Sequence, residues 1–201
     1  MKTAYAAASL AAFLGAAALT PSAFADPVEY EFDKTHTAIR ATWTHLGFSH
    51  QAIQFTDFDG VLMLDFEEPA NSTVDVTFNL ADGFWVGADQ DRFVGHLSSP
   101  DLFNIAEYPT ARFVATGFET EDGETGQMMG DLTLLGQTHP VTLDVTLNQR
   151  GPNPFSETPT AGFTATGEIL RSQWGLGYAA PAVSDEVRIE INTELTVVTE
   201  E

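Results

Sequence analysis

The side chains best placed for chemistry near neutral pH in this sequence are five histidines, His36, His45, His50, His96 and His139, because an unperturbed imidazole titrates there. A zinc site would need two or three of them to converge on one ion. No H-x-H, H-x-x-x-H or H-E-x-x-H spacing occurs, so no single strand or helix presents a ready pair of ring nitrogens. On one straight strand His36 and His45 would face opposite sides, about 30 Å apart. Acidic residues are abundant, 29 in all, and no two stand out as the acid and base of a glycosidase. Serine-nucleophile signatures of the G-x-S-x-G or S-x-x-K type and a P-loop are missing. Gly175-x-Gly177-x-x-Ala180 fits a loose dinucleotide fingerprint, but Pro181 follows and no βαβ pattern surrounds it. Asp89-Gln90-Asp91 lacks the glycine and closing glutamate of a calcium loop.

This scarcity of catalytic equipment points to binding, with no enzymatic activity, no metal and no cofactor expected. Two readings from other classes stay open. One is a metal- or carboxylate-dependent hydrolase that gathers its histidines and carboxylates from distant strands. The other is a barrel with a solid core, serving as an interaction module whose acidic exterior partners read.

Charge and composition narrow the field further. The 201 residues carry a formal charge of −21 and no cysteine. Such a chain gains nothing from counterion release on nucleic acid, nor from attraction to an anionic membrane. Without cysteine there are no disulfides, no thiol catalysis, no cysteine-ligated clusters and no lipidated N-terminal cysteine. Residues 1–25 read as a signal peptide: Lys2, an Ala/Leu-rich run from Tyr5 to Leu19, and the small-x-small site Ala23-Phe24-Ala25. Cleavage after Ala25 would leave residues 26–201 as one domain in the periplasm, with no stable membrane anchor. Without Lys2, seven basic side chains face 29 acidic ones, a net charge of −22.

The elements that must position any site are strands. Ile39, Ala41 and Trp43 alternate with polar neighbours, as do Val74, Val76, Phe78 and Leu80, then Val141 to Leu147, and Val187, Ile189 and Ile191. Strict alternation gives strands with one buried and one wet face. Turn-forming clusters divide the chain into about eight main strands, at 36–45, 52–66, 72–80, 110–119, 127–135, 139–149, 161–170 and 186–198, with a short one at 28–32. Asp59-Gly60 predicts a bend inside the second strand. Between Ala88 and Asn104, Phe93 and Leu97 have helical spacing, Asp89 or Asp91 can cap and Pro100 terminates, which predicts a short helix covering one end. Period alone leaves sandwich and barrel open. The aromatic content favours a barrel, since bulky inward residues can line an elongated cavity.

Several segments resemble the YceI-like family. Asp33-Lys34-Thr35-His36-Thr37 and Thr44-His45-Leu46-Gly47-Phe48-Ser49 are similar to its D-x-x-H-[ST] and H-L-G-[FV]-S. Phe55-x-x-Phe58-x-Gly60, His96-Leu97-x-Ser99-x-Asp101-Leu102-Phe103, Tyr108-Pro109-Thr110, Gly130-Asp131-Leu132-Thr133-Leu134 and Arg171-Ser172-Gln173-Trp174-Gly175 follow in the family's order. The resemblance spans nearly all of 28–198. It implies an all-β fold, an extended eight-stranded antiparallel lipocalin-like barrel with a short helix near one end. It also implies an apolar tunnel for a long-chain amphiphilic lipid such as an isoprenoid or isoprenoid quinone, and some members form homodimers.

On that reading the inward parities assign the lining to Ile39, Trp43, Phe58, Leu62, Leu64, Val76, Phe78, Phe113, Leu132, Leu134, Leu143, Val145 and Phe163. Phe55 has the opposite parity from Phe58 and joins them only if the strand is interrupted between. His45 and His96 are the polar candidates at a mouth. Arg92 either contacts a head group or pairs with Asp101 or Asp131. Of the adjacent Phe84 and Trp85, one ring can face the tunnel as a lid while the other packs under the helix, and Trp85 is counted with the lining.

Overall fold

The computed structural model describes residues 26–199, and the segment 1–25 expected to be a signal peptide lies outside the described residues. Eleven strands and one α-helix follow in chain order: β1 (Val28–Phe32), β2 (Ala38–His45), β3 (Ser49–Phe55), β4 (Phe58–Leu64), β5 (Thr73–Asn79), β6 (Phe84–Trp85), α1 (Gln90–Leu97), β7 (Thr110–Thr120), β8 (Thr125–Leu134), β9 (Gln137–Pro152), β10 (Pro159–Leu170) and β11 (Glu186–Val197). All pair antiparallel. Strand β11 carries β2 on one half of an edge, with Ile191 opposite Ile39, and β1 on the other half, with Val197 opposite Tyr30. In the same way β3 and β4 run on as one ribbon beside β2 and β1, and β5 and β6 beside β4 and β3. Counted by ribbon, the wall is a closed eight-stranded antiparallel barrel with up-and-down order. Closure removes the free edges that would otherwise invite pairing with other chains.

Each interruption of a ribbon has a local cause. Between β1 and β2 the Asp33 carboxylate accepts bonds from Thr35 N at 2.9 Å and Thr35 Oγ1 at 2.6 Å, and lies 2.7 Å from His36 Nδ1. The turn this pins shifts the inward parity from Tyr30 and Phe32 to Ile39 and Ala41. Between β3 and β4 the break falls at Thr56-Asp57 rather than at Asp59-Gly60. There Asn79 N donates to Asp57 O at 2.9 Å and Thr56 N to Gly83 O at 2.8 Å, so the neighbouring ribbon turns with it. Gly60 instead sits inside β4, where a Cβ would lie 3.1 Å from Val76 Cα, and it allows close approach of two strands. In β7 the register against β8 shifts between Ala115 and Gly117, which turns Phe118 inward along with Phe113.

Helix α1 closes one end. Asp89 takes the cap position, although its side chain makes no capping bond, and the helix stops before Pro100. Phe93 lies parallel to Trp43 at 6.3 Å between centroids, and Leu97 is buried. Apolar positions one turn apart therefore dock the helix on the barrel end.

Candidate functional site

Because alternate residues of every strand point inward, the barrel interior could have been filled. It is not. A continuous cavity of about 710 Å³ runs from α1 to the turn between β7 and β8. Its middle is aliphatic and aromatic: Ile39 and Ala41 of β2, Ile53 of β3, Leu62 of β4, Val76 of β5, Leu143 and Val145 of β9, Ala165 of β10 and Ile191 of β11 all face it. Most polar lining groups stand at the two ends, while along the wall the Thr193 hydroxyl is engaged with Thr37 Oγ1 at 2.8 Å. His45, His96 and Tyr178 stand at the α1 end, and Asp65, Ser72, Glu119 and Glu124 at the other. An apolar chain is accommodated along the middle and a polar terminus at either mouth.

Of the residues assigned to the lining from sequence, Ile39, Trp43, Phe55, Leu62, Leu64, Val76, Phe78, Phe113, Leu132, Leu134, Leu143, Val145 and Phe163 face the cavity, as do His45 and His96. Phe55 is among them because the ribbon breaks at Thr56-Asp57, the interruption its parity required. Three others are placed elsewhere. Phe58 is buried at 3 % exposure but sits between Phe32 and Phe78, behind the cavity wall and under Lys34. Trp85 is 54 % exposed on the outer wall, while Phe84 packs against Phe55 and against Phe103 beyond the helix. Within a two-residue strand only one ring can point in, and that ring is Phe84. It serves as core, so neither ring is a lid. Arg92 is exposed on the outer face of α1, because Phe93, His96 and Leu97 occupy the inner face. Among the described residues it pairs with neither Asp101 nor Asp131.

Sequence reasoning missed several contributors. Phe118 and Met128 line the cavity beyond the β7 irregularity, which no simple alternation foretells. Ile189 and Ile191, which alternate with polar neighbours, line the cavity as well. Tyr178 comes from the loop between β10 and β11, where no period exists. That loop is organised by Arg171, which is 8 % exposed. Its guanidinium donates to Ser184 O at 2.8 Å, Tyr178 O at 3.0 Å, Val183 O at 2.8 Å and also to Leu176 O. Burial pulls the Arg171 pKa down while the nearby Asp185 carboxylate opposes the shift. Asp185 is in turn bound by Ser172 N at 2.8 Å and Ser172 Oγ at 2.6 Å, which holds its own pKa below the ordinary value. Trp174 is fully buried and donates Nε1–H to Leu132 O at 3.0 Å. The mouth is thus braced from beneath.

At the far end the Asp65 carboxylate accepts from Glu68 N at 2.9 Å, Asn71 Nδ2 at 3.1 Å and Glu67 N at 2.9 Å, and these bonds lower its pKa. Its lone pairs are occupied in forming the β4–β5 turn. Among the described residues, Asp33, His36 and Glu194 bring ligand-type atoms within 4.8 Å of one another. Asp33 is already engaged by Thr35 and His36, and the group serves as the pin between β1 and β2.

Comparison with known proteins agrees with this architecture. The YceI-like domain matches residues 30–195. Protein YceI of Escherichia coli O157:H7 is 36 % identical over 168 residues, covering 83 % of this chain and 85 % of its own. The crystal structure of the Campylobacter jejuni YceI protein superposes with a TM-score of 0.70 at 25 % identity, over 78 % of this chain and 90 % of its own. A domain of Saccharophagus degradans, described as a polyisoprenoid binding domain implicated in plant cell wall breakdown, has the same fold at a TM-score of 0.56 and 12 % identity, over 85 % of this chain and 99 % of its own. With a family match over nearly the whole described chain and the barrel found where that match requires it, this chain belongs to the YceI-like family.

Proposed function

We propose that the chain is a non-enzymatic periplasmic carrier that encloses one long-chain isoprenoid or isoprenoid-quinone-type lipid. The observation that carries the reading is the continuous, predominantly apolar cavity of about 710 Å³, with most of its polar lining groups at the two ends. A cavity of about 150 Å³ admits a benzene. By that measure the tunnel takes on the order of 25–30 carbons, or five to six isoprene units. Each buried methylene contributes about 0.8 kcal/mol before ordering costs, so the gain grows with chain length until the tunnel is full. Such a chain is nearly insoluble as a free monomer, and an enclosed carrier lets it cross water. The description of the Saccharophagus degradans domain as polyisoprenoid-binding supports the same ligand class. Binding and release use packing alone, so the reading needs no cofactor and no metal.

Native mass spectrometry after gentle purification tests it. A co-purifying lipid that organic extraction removes, followed by rebinding of prenyl alcohols with affinity rising to about five or six units and then levelling, is the expected result. Stoichiometric zinc would favour the hydrolase reading. A chain that purifies empty and rebinds no prenyl alcohol would refute the carrier.

A further inference from the structure

The barrel end that carries α1 differs from the rest of the surface. In a chain of which 18 % is charged, the stretch from Ala41 to Thr56 contains no Asp, Glu, Lys or Arg, and neither does the stretch from Ser172 to Ser184. These two stretches form one rim. Leu46 N donates to Ala182 O at 2.9 Å, Ser184 N to Thr44 O at 2.9 Å and Thr44 N to Ser184 Oγ at 2.9 Å. Beneath them lies the Arg171 guanidinium with its carbonyl ligands.

At the tip, Leu46 has φ 53° and Gly47 has φ 73°. This is the left-handed pair of a type I′ turn, a geometry suited to Asn-Gly rather than Leu-Gly. A leucine in this conformation is strained, and here it is also 49 % exposed. Phe48 beside it is 90 % exposed and Tyr178 across the rim 52 %. Leu46 and Tyr178 also line the cavity, so apolar side chains continue from the outside into the tunnel beside His45 and His96. Nothing within the fold rewards a strained, exposed leucine next to an exposed phenylalanine.

We propose that this rim docks on the surface of a phospholipid bilayer, placing Leu46, Phe48 and Tyr178 at the boundary between head groups and acyl chains. The tunnel mouth then opens against the phase that holds an apolar chain. Two features select a bilayer over a second protein. A stable protein pair needs roughly 1,000 Å² of matched surface, whereas interfacial insertion needs no matched partner and scales with the apolar area buried, here Leu46 and Phe48 at the hairpin tip with Tyr178 on the facing loop. A body this acidic approaches a phosphate-bearing surface most readily where carboxylates are absent; the two rim stretches carry none, and the exposed Asp89, Asp91 and Asp101 of this end are confined to α1, its cap position and the turn after it. The purpose of docking rests on the carrier reading; the docking itself does not.

Flotation of the purified protein with vesicles of palmitoyl-oleoyl-phosphatidylcholine, free of isoprenoids, tests the proposal. Wild type co-floats, and Leu46→Asp with Phe48→Ser lowers the bound fraction about tenfold or more. Aspartate suits the left-handed position, and Phe48→Ser alone, at a site that packs against nothing, provides a second variant that folds. Phe155→Ser removes an equally exposed ring, 96 % exposed, in the loop at the opposite end and leaves binding unchanged. The proposal falls if wild type stays with the soluble fraction or if Phe155→Ser behaves like the rim variants. It also falls if sedimentation shows the rim variants splitting a dimer while vesicle binding persists. Native mass spectra of the same samples separate the two readings. A lipid-loaded tunnel without vesicle binding refutes docking alone, and rim-dependent vesicle binding by a tunnel that takes no lipid refutes the carrier alone.

Discussion

Replacing Ala165 by phenylalanine distinguishes a hollow barrel from a solid one. Ala165 is 5 % exposed, faces the cavity from the middle of β10 and lies opposite Val145 and Ile191. In a packed core the added ring would cost about 1–3 kcal/mol through displaced neighbours. In this barrel the ring enters existing space. It is a tethered benzene, which a void of about 150 Å³ accommodates, and so it takes about a fifth of the 710 Å³ cavity. Filling roughly 100 Å³ at about 24 cal/mol per Å³ stabilises by up to about 2 kcal/mol before the ring's own ordering. A phenylalanine also adds no polar atom that would need a partner. At about 2–4 °C per kcal/mol for a chain of this size, the delipidated variant should melt about 2–6 °C above delipidated wild type by calorimetry. The longest prenyl alcohol held in full should shorten by about one isoprene unit, since the ring displaces roughly six carbons. A melting temperature several degrees below wild type, with prenyl binding unaltered, would refute the reasoning and mean that the interior is close-packed.

Other outcomes follow from single residues. Arg171→Lys loses the planar fork that reaches four carbonyls and should cost about 3 kcal/mol in urea unfolding, with faster amide exchange across 176–184. Gly130→Val drives a side chain into the Phe113 ring and to 2.8 Å from Val114 O, and about 2–3 kcal/mol should be lost, because β7 backs this position with main chain. The Asp33–His36 pin has a pH window. Hydrogen bonds from Thr35 and His36 hold Asp33 at about 2, so its contribution is present above the ordinary carboxylate pKa and lost as pH falls toward 2. Asp33 raises His36 above its ordinary 6.5, so that contribution is full below 6.5 and lost as pH rises through the raised value. The stability deficit of Asp33→Asn should therefore be largest near pH 5 and shrink toward both extremes, and in NMR titration the variant should return His36 toward 6.5. Finally, among the described residues only Lys34, His36 and Arg112 form side-chain ion pairs with carboxylates, so the remaining negative charge repels itself. Sodium chloride should raise the melting temperature as the Debye length shrinks from about 10 Å at 0.1 M to about 3 Å at 1 M, and a flat response would remove self-repulsion as a factor.

The walls of the barrel were legible because a strand needs only a pattern. Val141, Leu143, Val145 and Leu147 point inward in the structure because their neighbours Thr142, Asp144 and Thr146 prefer water, and no particular partner is required. What the pattern could not carry was each change of parity. The pattern places Phe58 in the lining although it lies behind the wall, passes over Phe118 and turns Trp85 inward, all beside an interruption of a ribbon. Arg92 failed for a related reason, since one turn of helix decides whether a side chain meets the cavity or the solvent, and the docking of Phe93 and Leu97 settles that turn.

Several of the short motifs that carry the family resemblance occupy the interruptions and the ends of the strands. Asp33 and His36 pin the turn between β1 and β2, while Arg171, Ser172 and Trp174, with Asp185 accepting from Ser172, build the loop between β10 and β11. A regular strand tolerates any suitable alternation, but a kink needs particular hydrogen-bond partners at particular places. It follows that motif residues at such places should report on shape, and that the lining of the strands between them should set the length and type of chain enclosed. Exchanging the lining at Val145, Ala165 and Ile191 should therefore alter ligand preference with little loss of stability. Exchanging Asp33 or Arg171 should do the reverse, lowering stability and leaving the preference of the folded fraction intact. Chain-length profiles and unfolding curves measured on the same variants decide it, and a lining exchange that unfolds the barrel without moving the profile would overturn this division of labour.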